Sequence, residues 1–323
     1  MLDIVKETIG RLFYMLPSLP YQAQIEVTNK CNIDCVMCPR KDMGVEYEHM
    51  DFELFKKIIA KLDGVRSITL TGWGEPFIHP NIFDMINICK QKGFQVQLTT
   101  NGIFLSEATT EKIINSGIDS VSFSIDTLNG NSEFGHENNE ARENVKKLLK
   151  TRKNKKPKVT LQSTIQKNGE QEIYKIIQWG ASIGVDRVNL GRLDQRFDSD
   201  LPRPSCKEEN EILDRADKLG KDNGVQVDCI QSSVGKGVQR EIYKILKHAL
   251  HRFGKYCLKT YSYVYINLKG DVTPCCGLPR HKIDNIIEKE LKNIWHNKKF
   301  NEFREKQPEV CGKCDLWNIK YLT

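Results

Sequence analysis

The chain has 323 residues, of which 39% are hydrophobic and 28% charged, and its formal net charge is +7 at pH 7. This length predicts a main domain with a smaller one attached, and the composition is ordinary for a globular protein. No apolar run approaches the roughly eighteen residues of a membrane span, so we expect a cytoplasmic protein without one. The basic run at 153–158 is typical of a solvated turn, and a nucleic-acid partner is therefore not expected.

An amphipathic pattern over residues 1–20 predicts a helix, and the absence of a small-residue cleavage site argues against a signal peptide. Segments typical of strands then alternate with segments typical of helices. The predicted strands are Gln22–Val27, Ser67–Leu70, Gln95–Thr99, Ser120–Ile125, Lys158–Ile165 and Arg187–Leu190. The predicted helices are Phe52–Leu62, Pro80–Lys92, Ser106–Ser116, Glu140–Arg152 and Glu170–Ile183. This alternation predicts an α/β fold, a partial (β/α)6 TIM-like barrel over residues 21–192 with parallel strands and right-handed crossovers.

The regular alternation ends after the sixth strand. Residues 193–253 are predicted to form a connecting segment, with helices at Glu208–Asp222 and Gln239–Phe253 and a short strand at Val225–Cys229. Residues 254–323 are predicted to form a small domain built on a β-hairpin and helices. Its turn is formed by Lys269, Gly270 and Asp271, between two runs rich in β-branched and aromatic residues.

Three of the eleven cysteines, Cys31, Cys35 and Cys38, lie on one loop after the first strand. Structural zinc is usually held by four ligands, and no fourth candidate lies nearby in the sequence. A four-iron cluster held by three cysteines keeps one iron open to an added ligand. The spacing alone also allows a zinc site or an electron-transfer cluster that a distant residue completes.

A glycine-rich loop, Thr71-Gly72-Trp73-Gly74-Glu75-Pro76, follows the second strand. Parallel α/β proteins bind ligands at the carboxyl ends of their strands, where glycines allow close approach of the backbone. The cysteine loop and this glycine loop together resemble the signatures of the radical S-adenosylmethionine (radical SAM) superfamily. The resemblance implies that S-adenosylmethionine chelates the open iron of a 4Fe–4S cluster. The other cofactor-binding residues that it implies are Gly72, Gly74, Glu75, Asn101, Ser124, Asp126 and Ser163.

Four further cysteines, Cys257, Cys275, Cys311 and Cys314, suffice to close a second metal site. Zinc is one candidate for such a site. The hairpin and the final Cys-x2-Cys resemble the C-terminal SPASM domain of radical SAM enzymes, or its shorter twitch form. The resemblance implies one auxiliary 4Fe–4S cluster on these four cysteines, with Cys276 as a bystander or an alternate ligand.

The resemblance implies an enzyme that generates a 5′-deoxyadenosyl radical, abstracts hydrogen from a substrate and draws single electrons from a flavodoxin or ferredoxin. We expect a two-electron oxidation of a small sugar-like or aminocyclitol-like molecule, with the auxiliary cluster as electron acceptor. Modification of a peptide or protein is the alternative, and a non-enzymatic iron–sulfur carrier is a third. Oxidation also needs a base, for which Arg192 and Asp194 are candidates, although a surface salt bridge explains them equally well.

Overall fold

The computed structural model describes residues 16–128, 139–193, 201–229, 257–311 and 314. Ten strands within these residues form one sheet, in the order β10-β9-β8-β1-β2-β3-β4-β5-β6-β7. The strands are β1 (Gln22–Ile25), β2 (Ser67–Leu70), β3 (Gln95–Thr100), β4 (Ser120–Ser124), β5 (Lys158–Ile165), β6 (Arg187–Arg192), β7 (Gln226–Cys229), β8 (Tyr263–Ile266), β9 (Asp271–Thr273) and β10 (Asp284–Asn285).

The strands from β1 to β7 are parallel, and helices connect them as the sequence predicts. These helices are α1 (Phe52–Ala60), α2 (Ile82–Gln91), α3 (Glu107–Asn115), α4 (Asn139–Thr151), α5 (Glu170–Ile183) and α6 (Cys206–Asp222). The C-terminal part adds α7 (Leu291–Trp295), α8 (Lys298–Glu305) and α9 (Gln307–Val310). None of the helices in the described part of the chain is long and apolar enough to cross a bilayer. The predicted partial barrel is confirmed.

The hydrophobic core lies between the sheet and the helices that cover its outer face. Side chains alternate along a strand, so every second residue of β1 to β6 points outward. Most of these outward side chains are apolar and almost completely buried: Ala23, Ile25, Ile68, Leu70, Val96, Leu98, Val121, Phe123, Val159, Leu161, Val188 and Leu190. The helices contribute the facing layer through residues such as Phe55, Ile58 and Ile176.

The inner face of the sheet is polar across its whole width. One register row runs through Gln24, Thr69, Gln97, Ser120 and Lys158 on neighbouring strands. Hydrogen bonds join neighbours within this face, including one of 2.8 Å from Gln97 Nε2 to Thr69 Oγ1. A closed TIM barrel fills its interior with packed apolar side chains. The polar interior instead suits a barrel that holds ligands.

Both edges of the barrel sheet extend further than the sequence indicates. The strand β7 pairs in parallel with β6, so part of the predicted connecting segment forms a seventh βα unit. At the opposite edge β8 pairs in parallel with β1, which joins the C-terminal hairpin to the barrel in one sheet. The predicted helix Gln239–Phe253 lies outside the described residues, as does most of the predicted helix at 1–20.

Arg304 holds the C-terminal helices together. Its side chain is buried, and its Nη1 donates to Trp295 O at 3.0 Å and to Asn301 Oδ1 at 2.8 Å. Its Nε donates to Thr260 O at 3.0 Å. The guanidinium carbon lies 3.9 Å from the centre of the Phe300 ring and 4.4 Å from that of Trp295. A planar group with donors in several directions is needed to satisfy this set of partners.

We expect Arg304→Lys to lower the free energy of unfolding of the C-terminal part by about 2–4 kcal/mol, because an ammonium group cannot replace the guanidinium at these carbonyls. Urea unfolding of the reconstituted protein under argon measures this. Arg187→Lys is the matched control, since Arg187 is half-exposed in its pair with Asp228. Equal denaturation midpoints for the two variants would contradict the expectation.

Candidate functional site

A cavity of about 340 Å³ lies at the carboxyl ends of β1 to β5. Five successive strand ends contribute to its wall, which gathers most of the residues that the sequence singles out. The three thiol-bearing residues of the first cysteine loop line it. So do Gly72, Gly74, Glu75, Asn101, Ser124 and Asp126. Nine of the ten residues predicted at this centre, including the three cysteines, therefore line one cavity.

The glycine loop after β2 is hydrogen-bonded directly to the backbone that leads into the cysteine loop. Gly74 N donates to Thr28 O at 3.1 Å, and Glu75 N donates to Lys30 O at 2.8 Å. A Cβ atom on Gly74 would lie only 2.2 Å from Lys30 O and 2.7 Å from Thr28 O. Glycine is thus required at position 74 because two backbone segments touch there. The sequence instead suggests that glycines in this loop allow a ligand to approach the backbone.

Glu75 is a buried carboxylate that joins the ends of β2 and β3. Its Oε1 accepts hydrogen bonds from Phe77 N at 3.0 Å and Thr100 Oγ1 at 2.8 Å, and its Oε2 accepts one from Asn101 N at 2.7 Å. Burial raises the pKa of this carboxyl, while the hydrogen bonds lower it. With three protein donors, Glu75 mainly fixes the shape of the cavity wall.

Asn101 connects the third strand to the cysteine loop. Its Nδ2 donates to Asn32 Oδ1 at 2.8 Å and lies 3.9 Å from Cys31 Sγ. Its Oδ1 accepts a hydrogen bond from Ile103 N at 3.0 Å. The sequence analysis missed Asn32, although its place immediately after the first cysteine is the signal that could have found it.

The thiols of Cys31 and Cys35 are poorly suited to carry negative charge without a cation. Burial raises the pKa of Cys31, and burial together with Cys38, Asp126 and Cys31 raises the pKa of Cys35 to about 12. Binding of a metal deprotonates a thiol and reverses this balance. Three thiols at one cavity fit a four-iron cluster that leaves one iron for another ligand.

Ser124, Asp126 and Gln162 face the cavity from β4, from the loop after it and from β5. Asp126 accepts a hydrogen bond of 2.7 Å from Thr164 N, and burial raises the pKa of its carboxyl to about 6. The prediction that Ser163 binds the cofactor is wrong, because its side chain points away from the cavity. Ser163 shares the outer face of β5 with Leu161 and is buried there, because alternate side chains of a strand point to opposite faces. Gln162 takes its place at the cavity.

Arg192 does not have the environment of a catalytic base. It lies on the outer face of β6, and its Nε donates to the two carboxylate oxygens of Glu209 on α6 at 2.8 and 2.7 Å. Both side chains are less than a tenth exposed. A guanidinium also keeps its proton in proteins. The structure therefore corrects the prediction to a buried ion pair between strand and helix, while Asp194 lies outside the described residues.

Two of the C-terminal cysteines, Cys257 and Cys311, are hydrogen-bonded to Gln307, which is completely buried. Gln307 Oε1 accepts a hydrogen bond of 2.9 Å from Cys257 N, and Gln307 O accepts one of 2.7 Å from Cys311 N. Cys314 N donates to Cys311 O at 2.8 Å. Cys275 lies just after β9, the strand that pairs with β8. The donor chemistry of four thiols suits a fully ligated cluster, as the sequence predicts.

No three His, Cys, Asp or Glu side chains within the described part of the chain converge on a single metal ion. Residues 312–313, between the last two cysteines, lie outside the described ranges.

Two buried tyrosines of β8 lie near Cys275 and Cys276. Tyr263 and Tyr265 occupy the inner face of β8, in register with Gln22 and Gln24 of β1. The Tyr263 hydroxyl donates to Gln24 Oε1 at 2.5 Å and lies beside the Cys276 thiol. Burial raises the pKa of both phenols well above the usual value. Cys276 therefore points toward the barrel interior.

A second cavity, of about 530 Å³, lies between the cysteine loop and the C-terminal hairpin. Trp73 lines both cavities, which places them side by side at the glycine loop. Glu26 and Asn29 line the second cavity from the barrel, and Leu268 and Arg280 line it from the C-terminal part. The sequence analysis missed Glu26, although it continues the inward-facing set formed by Gln22 and Gln24.

Comparisons with known proteins agree with this arrangement. Residues 25–180 match the family model of the radical SAM superfamily, and residues 257–315 match that of SPASM, an iron–sulfur cluster-binding domain. A Pyrococcus furiosus protein described as a tungsten-containing aldehyde ferredoxin oxidoreductase cofactor-modifying protein is 25% identical over 87% of this chain and 82% of its own. An AdoMet-dependent heme synthase of Methanosarcina barkeri is 24% identical over 91% and 87%, respectively.

Among solved structures, Streptococcus suis SuiB bound to the precursor peptide SuiA shares the fold with a TM-score of 0.73. It is 16% identical in sequence, and the match covers 98% of this chain and 74% of SuiB. The likeness extends through both the barrel and the C-terminal part.

Gly74→Ala is expected to displace the glycine loop from the cysteine loop and to abolish assembly of the first cluster. The iron content after anaerobic reconstitution should fall from about eight to about four atoms per chain, since the C-terminal cluster remains. Gly191→Ala is the control, because a Cβ there would meet no atom within 4 Å. Full iron content in Gly74→Ala would show that the backbone contact is dispensable.

Proposed function

The chain belongs to the radical SAM superfamily and carries a SPASM domain, and on this basis we propose that it oxidises a small polar molecule by two electrons. It is an enzyme that binds S-adenosylmethionine and 4Fe–4S clusters. When bound, these groups supply a 5′-deoxyadenosyl radical that abstracts a hydrogen atom from the substrate. We assign the first cluster to Cys31, Cys35 and Cys38, and the auxiliary cluster to Cys257, Cys275, Cys311 and Cys314.

The observation that carries this proposal is the pairing of β8 with β1. The strand β1 leads directly into the first cysteine loop, and β8 and β9 lead to Cys275. Gln24 bridges the two parts, since its Nε2 donates to Thr71 O at 2.7 Å while its Oε1 accepts from Tyr263. Paired strands and the Gln24 hydrogen bonds therefore connect the barrel end, where a substrate would lose its electron, with the part of the chain that carries Cys275.

The residues of the first cavity position S-adenosylmethionine and keep its surroundings ordered. Glu75 and Asn101 fix the loops after β2 and β3 against the cysteine loop. We assign the ribose hydroxyls to Ser124 and Asp126, with Gln162 beside them. A carboxylate and two neutral polar groups at the cavity wall offer acceptors and donors that match a sugar.

The cavity of about 530 Å³ is our candidate for the substrate site, because its volume is typical of small-molecule pockets. Charged side chains of both signs line it, which suits a polar ligand. The Pyrococcus furiosus and Methanosarcina barkeri relatives, described as a cofactor-modifying protein and a heme synthase, favour a small molecule. A peptide is the second candidate, favoured by the similarity to SuiB bound to its precursor peptide.

A flavodoxin or ferredoxin is our candidate for the external electron donor, and the cytoplasm is our candidate location. The proposed location suits the eleven cysteines, none of which forms a disulfide in the described residues, since reducing compartments disfavour disulfides. The third possibility, an electron carrier without catalytic activity, has no support from the family.

Variants at the two cysteine groups should separate radical generation from oxidation. Cys35→Ala is expected to form no 5′-deoxyadenosine with dithionite, because the first cluster loses a ligand. Cys275→Ala should still form 5′-deoxyadenosine, but should yield no oxidised product, because the proposed electron acceptor is damaged. Chromatography of the quenched reaction measures both, and Cys206→Ala, at the first residue of α6, is the control. Product formation by Cys275→Ala would argue against the auxiliary cluster as acceptor.

The substrate class can be tested with size-separated cell extract added to the reconstituted enzyme. A small-molecule fraction is expected to increase 5′-deoxyadenosine formation above the substrate-free background. Stimulation by the peptide fraction alone would favour the second candidate. Mass spectrometry of the stimulating fraction should then find a species lighter by two hydrogen atoms.

A further inference from the structure

Glu26 lies at the end of β1, where the two cavities meet at Trp73. Its carboxyl group lines the larger cavity and is only 5% exposed. On the side of the first cavity, its Oε1 accepts a hydrogen bond of 3.2 Å from Trp73 N. A Cβ atom on Gly72 would lie 2.2 Å from Glu26 Cγ. The glycine loop thus makes room for this glutamate.

On its other side, Glu26 faces the C-terminal part of the chain. The Tyr265 hydroxyl and the Leu268 backbone N–H lie beside its carboxyl group. Tyr265 also faces Cys275 and Cys276. Glu26 therefore lies between the glycine loop of the radical-generating site and the side chains that surround the auxiliary cysteines.

The carboxyl group of Glu26 differs from those of Glu48 and Asp271, which line the same cavity and each have a cationic partner. Glu48 is paired with Lys269 at 2.9 Å, and Asp271 is paired with Lys282 at 2.6 Å. No ion pair of the described residues includes Glu26. Burial raises the pKa of its carboxyl, the nearby Glu48 raises it further, and the hydrogen bonds around it lower it. A buried carboxylate without a cation gains stability when it takes up a proton.

We propose that Glu26 is the catalytic residue that accepts a proton from the substrate radical in the larger cavity. This inference rests on the proposed function, in which hydrogen abstraction leaves a radical on a carbon that carries a hydroxyl group. The O–H bond of that radical breaks and the C=O bond forms. Its proton passes to Glu26, and its electron passes to an iron–sulfur centre on the C-terminal cysteines. Loss of the proton makes the electron easier to remove.

The position of Glu26 suits the separation of these two products. Glu26 lies on the same side of the substrate cavity as the proposed electron acceptor. The proton and the electron therefore leave the substrate in the same direction, which limits the separation of opposite charges in a buried site. The charged groups that line the cavity together with Glu26 are Arg40, Glu46, Glu48, Lys269, Asp271, Arg280 and Lys282. Of these, Arg40 is held by Asp34 at 2.5 Å and lies over the Tyr47 ring.

The first test is Glu26→Gln with the extract fraction that stimulates the wild-type enzyme. We expect 5′-deoxyadenosine formation to persist and oxidised product to fall by about 100-fold, which is typical of a lost general base. Glu26→Asp should restore part of the product. Glu53→Gln, an exposed change on α1, is the matched control. Equal loss of 5′-deoxyadenosine and product in Glu26→Gln would overturn the proposal, because Glu26 would then act before the oxidation.

The second test needs no substrate and is independent of the proposed function. Infrared difference spectra between wild type and Glu26→Gln, recorded during acid titration in heavy water, report the protonated carboxyl group directly. The Glu26 band is expected to appear at a higher pH than is usual for a glutamate, because burial raises the pKa of this carboxyl. A band that appears only at the pH of an ordinary glutamate would overturn the assignment. If no fraction stimulates the wild type, the proposed function fails, and this measurement alone decides whether Glu26 can hold the proton.

Discussion

The close contact between two backbones at Gly74 is the constraint on which the site depends. The loop after β2 donates two hydrogen bonds to the carbonyls of Thr28 and Lys30, and no side chain separates the two segments. This contact fixes the glycine loop at the start of the cysteine loop. Glu75 then ties the same loop to the end of β3. Backbone packing between neighbouring strand ends therefore forms the first cavity. A bound ligand is not needed to create it.

The continuous sheet extends this order to the C-terminal part. Because β8 pairs with β1 in register, Tyr263 and Tyr265 become part of the inner wall of the barrel. The polar inner face and the apolar outer face then have different functions. The outer face supplies the buried area that stabilises the fold, since burial of apolar surface is the main favourable contribution to folding. The inner face is left free to hold polar ligands and to join the two cysteine groups.

Local sequence signals were sufficient to predict the features that depend on residues close together in the chain. Alternating strands and helices gave the barrel, and the spacing of Cys31, Cys35 and Cys38 identified their shared loop. The errors at Ser163 and Arg192 share one cause, because a shift of one residue along a strand moves a side chain to the opposite face. The pairing of β8 with β1 joins segments about 240 residues apart, which no local pattern specifies. Glu26 was missed because Trp73, on the loop after β2, and Tyr265, on β8, are distant from it in sequence.

Two buried carboxylates show how the surroundings decide the role of the same chemical group. Glu209 is held by Arg192 through two short hydrogen bonds, so its charge is compensated at all times and it serves the packing of α6 on β6. Glu26 is equally buried, but it has a backbone N–H and a phenol beside it instead of a cation. An uncompensated charge in that position is costly, and uptake of a proton removes the cost. Because its pKa is raised, this carboxyl takes up a proton more readily than an ordinary one, which is the property that an oxidation at the adjoining cavity requires.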